Sequence, residues 1–298
     1  MSKKIDDLIA LQEKLEHEGA FDTPTEPINM TNVAPVDKDY VYLRTSLRER
    51  FLSGFARGIL YIFSPIVDFF AYKFRIKGKE NLRALKGTSF FSISNHVSYL
   101  DSLMLRDCLR GRRVYFTVAP FNNKRGYKGA FLRAGGAIPL SDSLSGMKNF
   151  NSAIHTLAEG ENNVIQFYAE QTMWIYFEKP RPFKKGAFRF AAKEMKPILP
   201  MFITFSPAKG WRKLLGAKRF ATMHILPAIF PRQELSVKEN CDFLQEETQR
   251  AFIAEYRQVY GDNKPIIYDI DENAMSNLNQ ETELAIKLSQ ETCDQKAE

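Results

Sequence analysis

His96 and Asp101 stand five positions apart in Asn95-His96-Val97-Ser98-Tyr99-Leu100-Asp101. The run before them, residues 89–94, reads as a strand. The stripe after them, Leu100, Leu103, Met104 and Cys108, reads as a helix. A helix that begins near Ser98 puts Asp101 in its first turn, where the carboxylate can reach back to one imidazole nitrogen. That contact fixes the ring tautomer and favours the imidazolium that forms as the other nitrogen takes a proton. The pair has the form of the His–Asp part of a serine-protease triad without a protein nucleophile, so the substrate must bring the hydroxyl. Ser98 competes as a nucleophile but reads as an N-cap. The spacing alone arises often by chance, and a histidine at a strand-to-helix junction can equally be a packed polar residue.

The surrounding pattern says what must position this pair. Apolar, β-branched or aromatic runs recur at 89–94, 114–119, 136–140, 164–169, 198–205 and 222–230, and helical stretches separate several of them. Residues 98–110, 147–158, 183–195 and 236–260 carry the helical spacing, the last opened by the capping-box pattern Ser236-x-x-Glu239. This alternation predicts an α/β domain over 79–261. Before it, residues 1–38 read as an acidic arm, helical over 5–17, and a linker rich in Pro, Thr and Asn. Residues 39–78 contain the apolar run Phe51–Tyr72, interrupted by Arg57 and Asp68 and divided by Pro65. Its uncharged core is too short to span about 30 Å of hydrocarbon as one helix. Flanking Arg44, Arg48, Arg50, Lys73, Arg75 and Lys77 predict interfacial, membrane-associating helices instead; a pair of buried core helices is the other reading. The tail 262–298 is acidic and predicted disordered.

Charge narrows the partners. Residues 1–38 hold 4 basic and 8 acidic groups and residues 262–298 hold 3 and 9, which leaves 39–261 with a net charge of +17. Such a body expects an anionic partner: a membrane surface, a phosphorylated or CoA-like ligand, or nucleic acid. Cys108, Cys241 and Cys293 form no C-x-x-C pair and fit a reducing compartment. The N-terminus lacks the continuous apolar segment of a secretory signal. No second histidine sits at metal-ligand spacing, and there is no P-loop or dinucleotide fingerprint, so no metal and no cofactor is expected.

Residues 95–101, "NHVSYLD", resemble the N-H-x-S-x-x-D motif of the glycerolipid acyltransferase superfamily, which includes the 1-acylglycerol-3-phosphate acyltransferases. Further blocks follow in order. "GAFLRAGGAIPLSD", 129–142, resembles the second; "FYAEQTMW", 167–174, with "PFKKGAF", 182–188, resembles the third; "ILPMFI", 198–203, resembles the fourth. The resemblance covers roughly residues 75–230 and implies a mixed central sheet flanked by helices. It implies transfer of a fatty acyl group from a thioester, on CoA or acyl carrier protein, to a hydroxyl of a lipid acceptor. His96 would be the general base and Asp101 its orienting partner. Asn95, Ser98, Glu170 and Thr172 would contact substrate, with backbone amides near 95–97 as candidates for the oxyanion. The location implied is the cytoplasmic face of a membrane, peripheral or monotopic, with no nucleic-acid partner.

Four positions depart from the pattern: Ala169 and Gln171 stand in place of the third block's proline and glycine, and two others replace arginines. Asp142 stands where the second block usually ends in a phosphate-contacting arginine, and Met173 where the third has one. Neither can offer a guanidinium fork. Either other cations take that role, with Lys128, Arg133, Arg181, Lys184 and Lys185 as candidates and Gly186 opening a helix beside them, or the acceptor is not a glycerol 3-phosphate derivative. The same dyad would also serve an acyl-thioester hydrolase, and the fold alone a lipid-binding protein.

Overall fold

The computed structural model describes residues 3–141, 143–214, 219–261 and Ile266. Among these, seven strands form one sheet: β1 (Arg75–Lys77), β2 (Phe90–Ser94), β3 (Arg113–Val118), β4 (Ala137–Pro139), β5 (Asn163–Phe167), β6 (Ile198–Pro207) and β7 (Arg219–Ile225). Their order is β1-β7-β6-β2-β5-β3-β4. Every neighbouring pair is parallel except β6 and β7. The helices are α1 (Lys3–His17), α2 (Leu47–Tyr72), α3 (Asp101–Cys108), α4 (Gly126–Ala134), α5 (Leu144–Glu159), α6 (Gly186–Lys193), α7 (Trp211–Leu214) and α8 (Val237–Tyr260).

Strands β2 and β5 are fully buried, as expected of continuous apolar runs covered on both faces. Alternate side chains of β2 feed separate cores. Phe91 and Ile93 join α5, α6 and α8, whereas Phe90 joins Met104, Leu105 and Cys108 of α3. The chain leaves β2 through α3 toward β3 and leaves β5 through α6 toward β6, so it departs from two adjacent strands in opposite directions. The carboxyl end of such a parallel pair is the usual ligand position in open α/β sheets. A buried polar ladder locks their register just below it. Ser92 Oγ donates to Gln166 Oε1 (2.5 Å), and Gln166 Nε2 donates to Ser94 Oγ (3.0 Å) and Phe167 O (2.8 Å).

The apolar run ahead of the sheet is one continuous helix. Pro65 does not divide α2, although it removes the donor that would reach the Tyr61 carbonyl. Arg110, just past the end of α3, supplies the missing bond, Nη2 donating to Tyr61 O at 2.9 Å with its guanidinium over the Tyr61 ring. The inner side of α2 carries Ala56, Ser64 and Asp68, all buried. It is seated from end to end: Ser53 Oγ donates to Ala134 O, Ser64 Oγ to Asp107, and Tyr72 hydroxyl meets Ser98 Oγ. The outer side leaves Phe51, Phe55, Ile62, Phe63, Ile66 and Phe70 exposed.

Residues 20–38 are not a free linker. Thr25 and Val36 are buried, and the Thr23 carbonyl accepts from the Trp174 indole at 2.9 Å. The predicted disordered tail lies outside the described residues apart from Ile266, which is buried in the core.

Candidate active site

His96 sits in the turn after β2, with about a quarter of its side chain exposed. Asp101 is buried at the first residue of α3. His96 Nδ1 lies 2.8 Å from Asp101 Oδ2, and the same oxygen accepts from the amides of Val97 (2.9 Å) and Ser98 (3.1 Å). With two N–H groups already converging on it, Oδ2 is an acceptor, so Nδ1 carries the ring proton. Nε2 then holds the lone pair, and among the described residues it has no partner. Burial pushes the Asp101 carboxyl up, against the pull of the His96 ring and the two amides. The helix begins at Asp101 rather than Ser98, because the carboxylate gathers those two amides into a turn first. Ser98 is therefore not the N-cap; its hydroxyl accepts from Leu100 N and meets Tyr72.

The backbone around His96 is held on both sides. His96 O accepts from Trp174 N (3.0 Å) and Val97 O from Tyr176 N (2.9 Å). Tyr168 stacks on the imidazole, ring centroids 4.0 Å apart. Since the amides of His96, Val97 and Ser98 all end on carboxylates, they are not an oxyanion hole, contrary to expectation.

The other expected contacts divide into framework and surface. Asn95 is buried, its Nδ2 donating to Ile203 O and its Oδ1 accepting from Ile203 N, at 2.9 and 2.8 Å. Its amide is committed to β6 and not offered to a ligand. Glu170, Thr172 and Arg181 do come together, but as a buried network. Glu170 Oε2 accepts from His96 N (3.1 Å) and Arg181 Nη2 (2.7 Å), and its Oε1 accepts from Arg181 N. Arg181 Nη1 donates to Thr172 Oγ1 and Phe21 O, and its guanidinium lies over Trp174. Breaking such a pair from one side costs about 3–5 kcal/mol, so its first task is to hold the turn that carries His96.

Arg133 donates to Asn123 Oδ1 and Lys124 O, tying α4 to the preceding loop. Lys184 pairs with Asp22 (3.0 Å) and Lys185 with Asp242 (2.9 Å). Gly186 opens α6 in the open. Lys128 is exposed, and Asp142 lies outside the described residues. Met173 carries no charge; the Thr25 hydroxyl donates to its carbonyl. The arm thus meets the basic groups around this loop, with Glu16 on Lys179 (2.6 Å) as well as Asp22 on Lys184.

Reading the sequence alone missed Tyr168 and the arm, with its carbonyls of Phe21 and Thr23 that accept from Arg181 and Trp174. Tyr168 could have been found as the aromatic two residues before Glu170 at a strand end. The others depend on contacts far apart in sequence.

Comparison with protein families matches residues 73–204 to the Acyltransferase family. That stretch contains β1 to β5 and most of β6, with His96, Asp101 and Glu170. Among solved structures, the 1-acyl-sn-glycerophosphate (LPA) acyltransferase PlsC from Thermotoga maritima superposes with a TM-score of 0.49 at 18% identity, covering 72% of this chain and 83% of that one. Comparison with curated proteins finds no match.

Proposed function

From an Acyltransferase-family match across residues 73–204, we infer that this protein is a membrane-associated O-acyltransferase acting on a lipid hydroxyl. The observation that carries the reading is His96, oriented by a buried carboxylate through Nδ1 and open at Nε2, at the carboxyl end of the parallel pair β2 and β5. Nε2 takes the proton of the acceptor hydroxyl. The oxygen attacks the carbonyl of an acyl thioester, on CoA or acyl carrier protein, and a C–O bond forms. The tetrahedral oxyanion collapses, the C–S bond breaks, and the departing thiolate takes the proton back from Nε2–H. Asp101 stays in place and stabilises the imidazolium. No covalent acyl-enzyme is required.

The membrane reading rests on α2. It is long and apolar enough to cross a bilayer by length and composition. Yet its inner side is fastened to the domain from Ser53 to Tyr72, roughly 28 Å of helix at 1.5 Å per residue. A helix fastened along its length presents a face, so α2 lies in the interface plane with its phenylalanines in lipid. Exposed Tyr127, Phe131 and Leu132 of α4, which packs on α2, extend that face. Free Cys108 and Cys241 fit the cytoplasmic side.

The test uses purified protein, labelled acyl-CoA and acyl carrier protein donors, and lysophosphatidate, glycerol 3-phosphate, other lysophospholipids and neutral lipids as acceptors. His96→Ala should lower transfer by about 10²–10⁴-fold while the fold is kept. Transfer that survives His96→Ala, or release of free fatty acid in place of transfer, overturns the assignment. For the membrane, Phe55→Glu with Ile62→Glu should move the protein from the vesicle pellet to the supernatant; full-length protein that never sediments with anionic vesicles overturns it.

A further inference from the structure

One turn grips His96 twice. Strand β5 ends at Phe167, beside Ile93 of β2, so the residues that follow the two strands emerge next to each other at the carboxyl ends. After β2 these are Asn95 and His96; after β5 they are Tyr168 to Gln171. The second set closes as a turn, Gln171 N donating to Tyr168 O at 3.0 Å with Gln171 at a φ of 70°. Side chains alternate along an extended chain. Phe167 and Ala169 therefore enter the core shared with α5, α6 and α8, and Tyr168 turns the other way, onto His96. Its ring lies flat on the imidazole, with centroids 4.0 Å apart and planes 20° from parallel. Two residues on, Glu170 Oε2 accepts from the His96 amide at 3.1 Å.

These contacts and the Asp101 bond restrain different motions. The bond at Nδ1 fixes which edge of the imidazole faces Asp101, but a single bond in the ring plane lets the ring tilt about it. A flat aromatic face at 4.0 Å blocks that tilt on one side. Nε2 points outward in the ring plane, so the stack leaves its lone pair uncovered. The face also has an electrical role. It carries the negative side of the ring quadrupole, which attracts a cation placed over it. The imidazole is neutral before it takes a proton and cationic afterwards, so the attraction is stronger in the state that the chemistry creates. Tyr168 itself stays neutral, because burial raises its hydroxyl well above the ordinary phenol range. Among the described residues, the charged groups in contact with His96 are Asp101 from α3 and Glu170 after β5, the latter paired with Arg181.

We propose that Tyr168 is a positioning residue of the His96 base: its ring face sets the plane of the imidazole and stabilises the imidazolium that forms as Nε2 takes a proton. The proposal rests on the acyl-transfer reading for the source of that proton, the acceptor hydroxyl.

The experiment compares Tyr168→Phe, which keeps the aromatic face, with Tyr168→Leu, which keeps an apolar cover and removes the quadrupole. Both are made in the full-length protein. Proton NMR follows the imidazole signals across pH, with His96→Ala assigning the His96 signal among the four histidines. The His96 midpoint in Tyr168→Leu should fall about half a pH unit below that of wild type, and in Tyr168→Phe it should stay within about 0.2 unit. In the transfer assay Tyr168→Leu should lower kcat about tenfold with KM within about twofold, and should move the acid limb of the kcat/KM profile to lower pH. Tyr168→Phe should keep kcat within about threefold of wild type. If Tyr168→Leu unfolds, Tyr168→Met removes the same face. Equal midpoints and equal kcat in the variants with and without the ring overturn the proposal. So does a loss in Tyr168→Phe as large as in Tyr168→Leu, because the hydroxyl and not the face would then matter. A lowered midpoint with no transfer by wild type to any acceptor would sink the acyl-transfer reading alone; transfer with an unmoved midpoint would sink the role of Tyr168 alone.

Discussion

The loop from Ala169 to Lys184 and the seam between α2 and α3 both bury charge, and they balance it in opposite ways. In the loop, Arg181 is matched by Glu170, Lys179 by Glu16 and Lys184 by Asp22, with carbonyls of Phe21 and Thr172 taking further guanidinium N–H groups. In the seam, Arg57 lies within electrostatic reach of Arg106, and Asp68 lies against Asp107, which Arg110 and Ser64 already hold, so that Asp68 is the carboxylate left unmatched. Asp68 is buried with neither carboxylate oxygen hydrogen-bonded by a conventional donor. Desolvation first, and then Asp107, raise its carboxyl to about 8. A matched network holds geometry and has nothing left to offer a ligand. An unmatched one can take up a proton or an ion. The residues expected from sequence to grip substrate fall mostly in the matched region.

The largest effect that could break this contrast is in the loop. Arg181→Met leaves Glu170 buried without its cation and should cost about 3–5 kcal/mol in urea unfolding, with activity lost because the His96 turn loosens. If stability is kept and only acceptor affinity falls, the loop is a ligand site and the contrast fails.

The next effect lies in the seam. Asp68 has a folded-state value near 8, far above that of an unfolded aspartate, so the folded protein holds a proton that the unfolded chain has released. Its contribution to stability is full below about pH 4 and is lost as pH rises toward 8. Asp68→Asn should flatten that slope and raise the unfolding midpoint at pH 8 by about 2–4 °C, read by calorimetry across pH 5–9. A slope that is unchanged by the substitution removes the unmatched carboxylate from the comparison.

The smallest effect sharpens it. Lys184 and Asp22 are both substantially exposed, so Lys184→Ala should cost under about 1 kcal/mol. It should also change KM for a phosphorylated acceptor by less than about threefold. A larger rise in KM would return Lys184 to the list of phosphate ligands.

These differences trace what the sequence could and could not reveal. Each strand-like run contains a strand, because β-branched and aromatic side chains buried on both faces leave a local signature. The short edge strand β1 leaves none, since Arg75 and Lys77 flank a single half-buried isoleucine. The capping box at Ser236 and Glu239 is present as read. His96 and Asp101 were legible because one turn of chain brings them together. Asn95 with Ile203, Glu170 with Arg181, and Arg181 with Phe21 join segments distant in sequence, where residue type alone does not separate a substrate ligand from a framework bond. The arm misled for a related reason. Its polar composition reads as solvated, but its carbonyls and carboxylates are spent on the loop beneath it.

Pro65 has one more consequence. A proline in an apolar helix ordinarily makes a hinge, and a hinge here would let the catalytic body tilt and bob against its anchor. Arg110 closes the gap by donating to Tyr61 O, so bending α2 would strip that carbonyl of its side-chain partner. On the interfacial reading proposed for α2, helix and domain would ride on a bilayer as a single rigid float. On the proposed function, the depth at which His96 meets an incoming hydroxyl would then be set by the waterline of that float, and acceptors whose hydroxyl sits higher or lower in the headgroup layer would have to move to reach it.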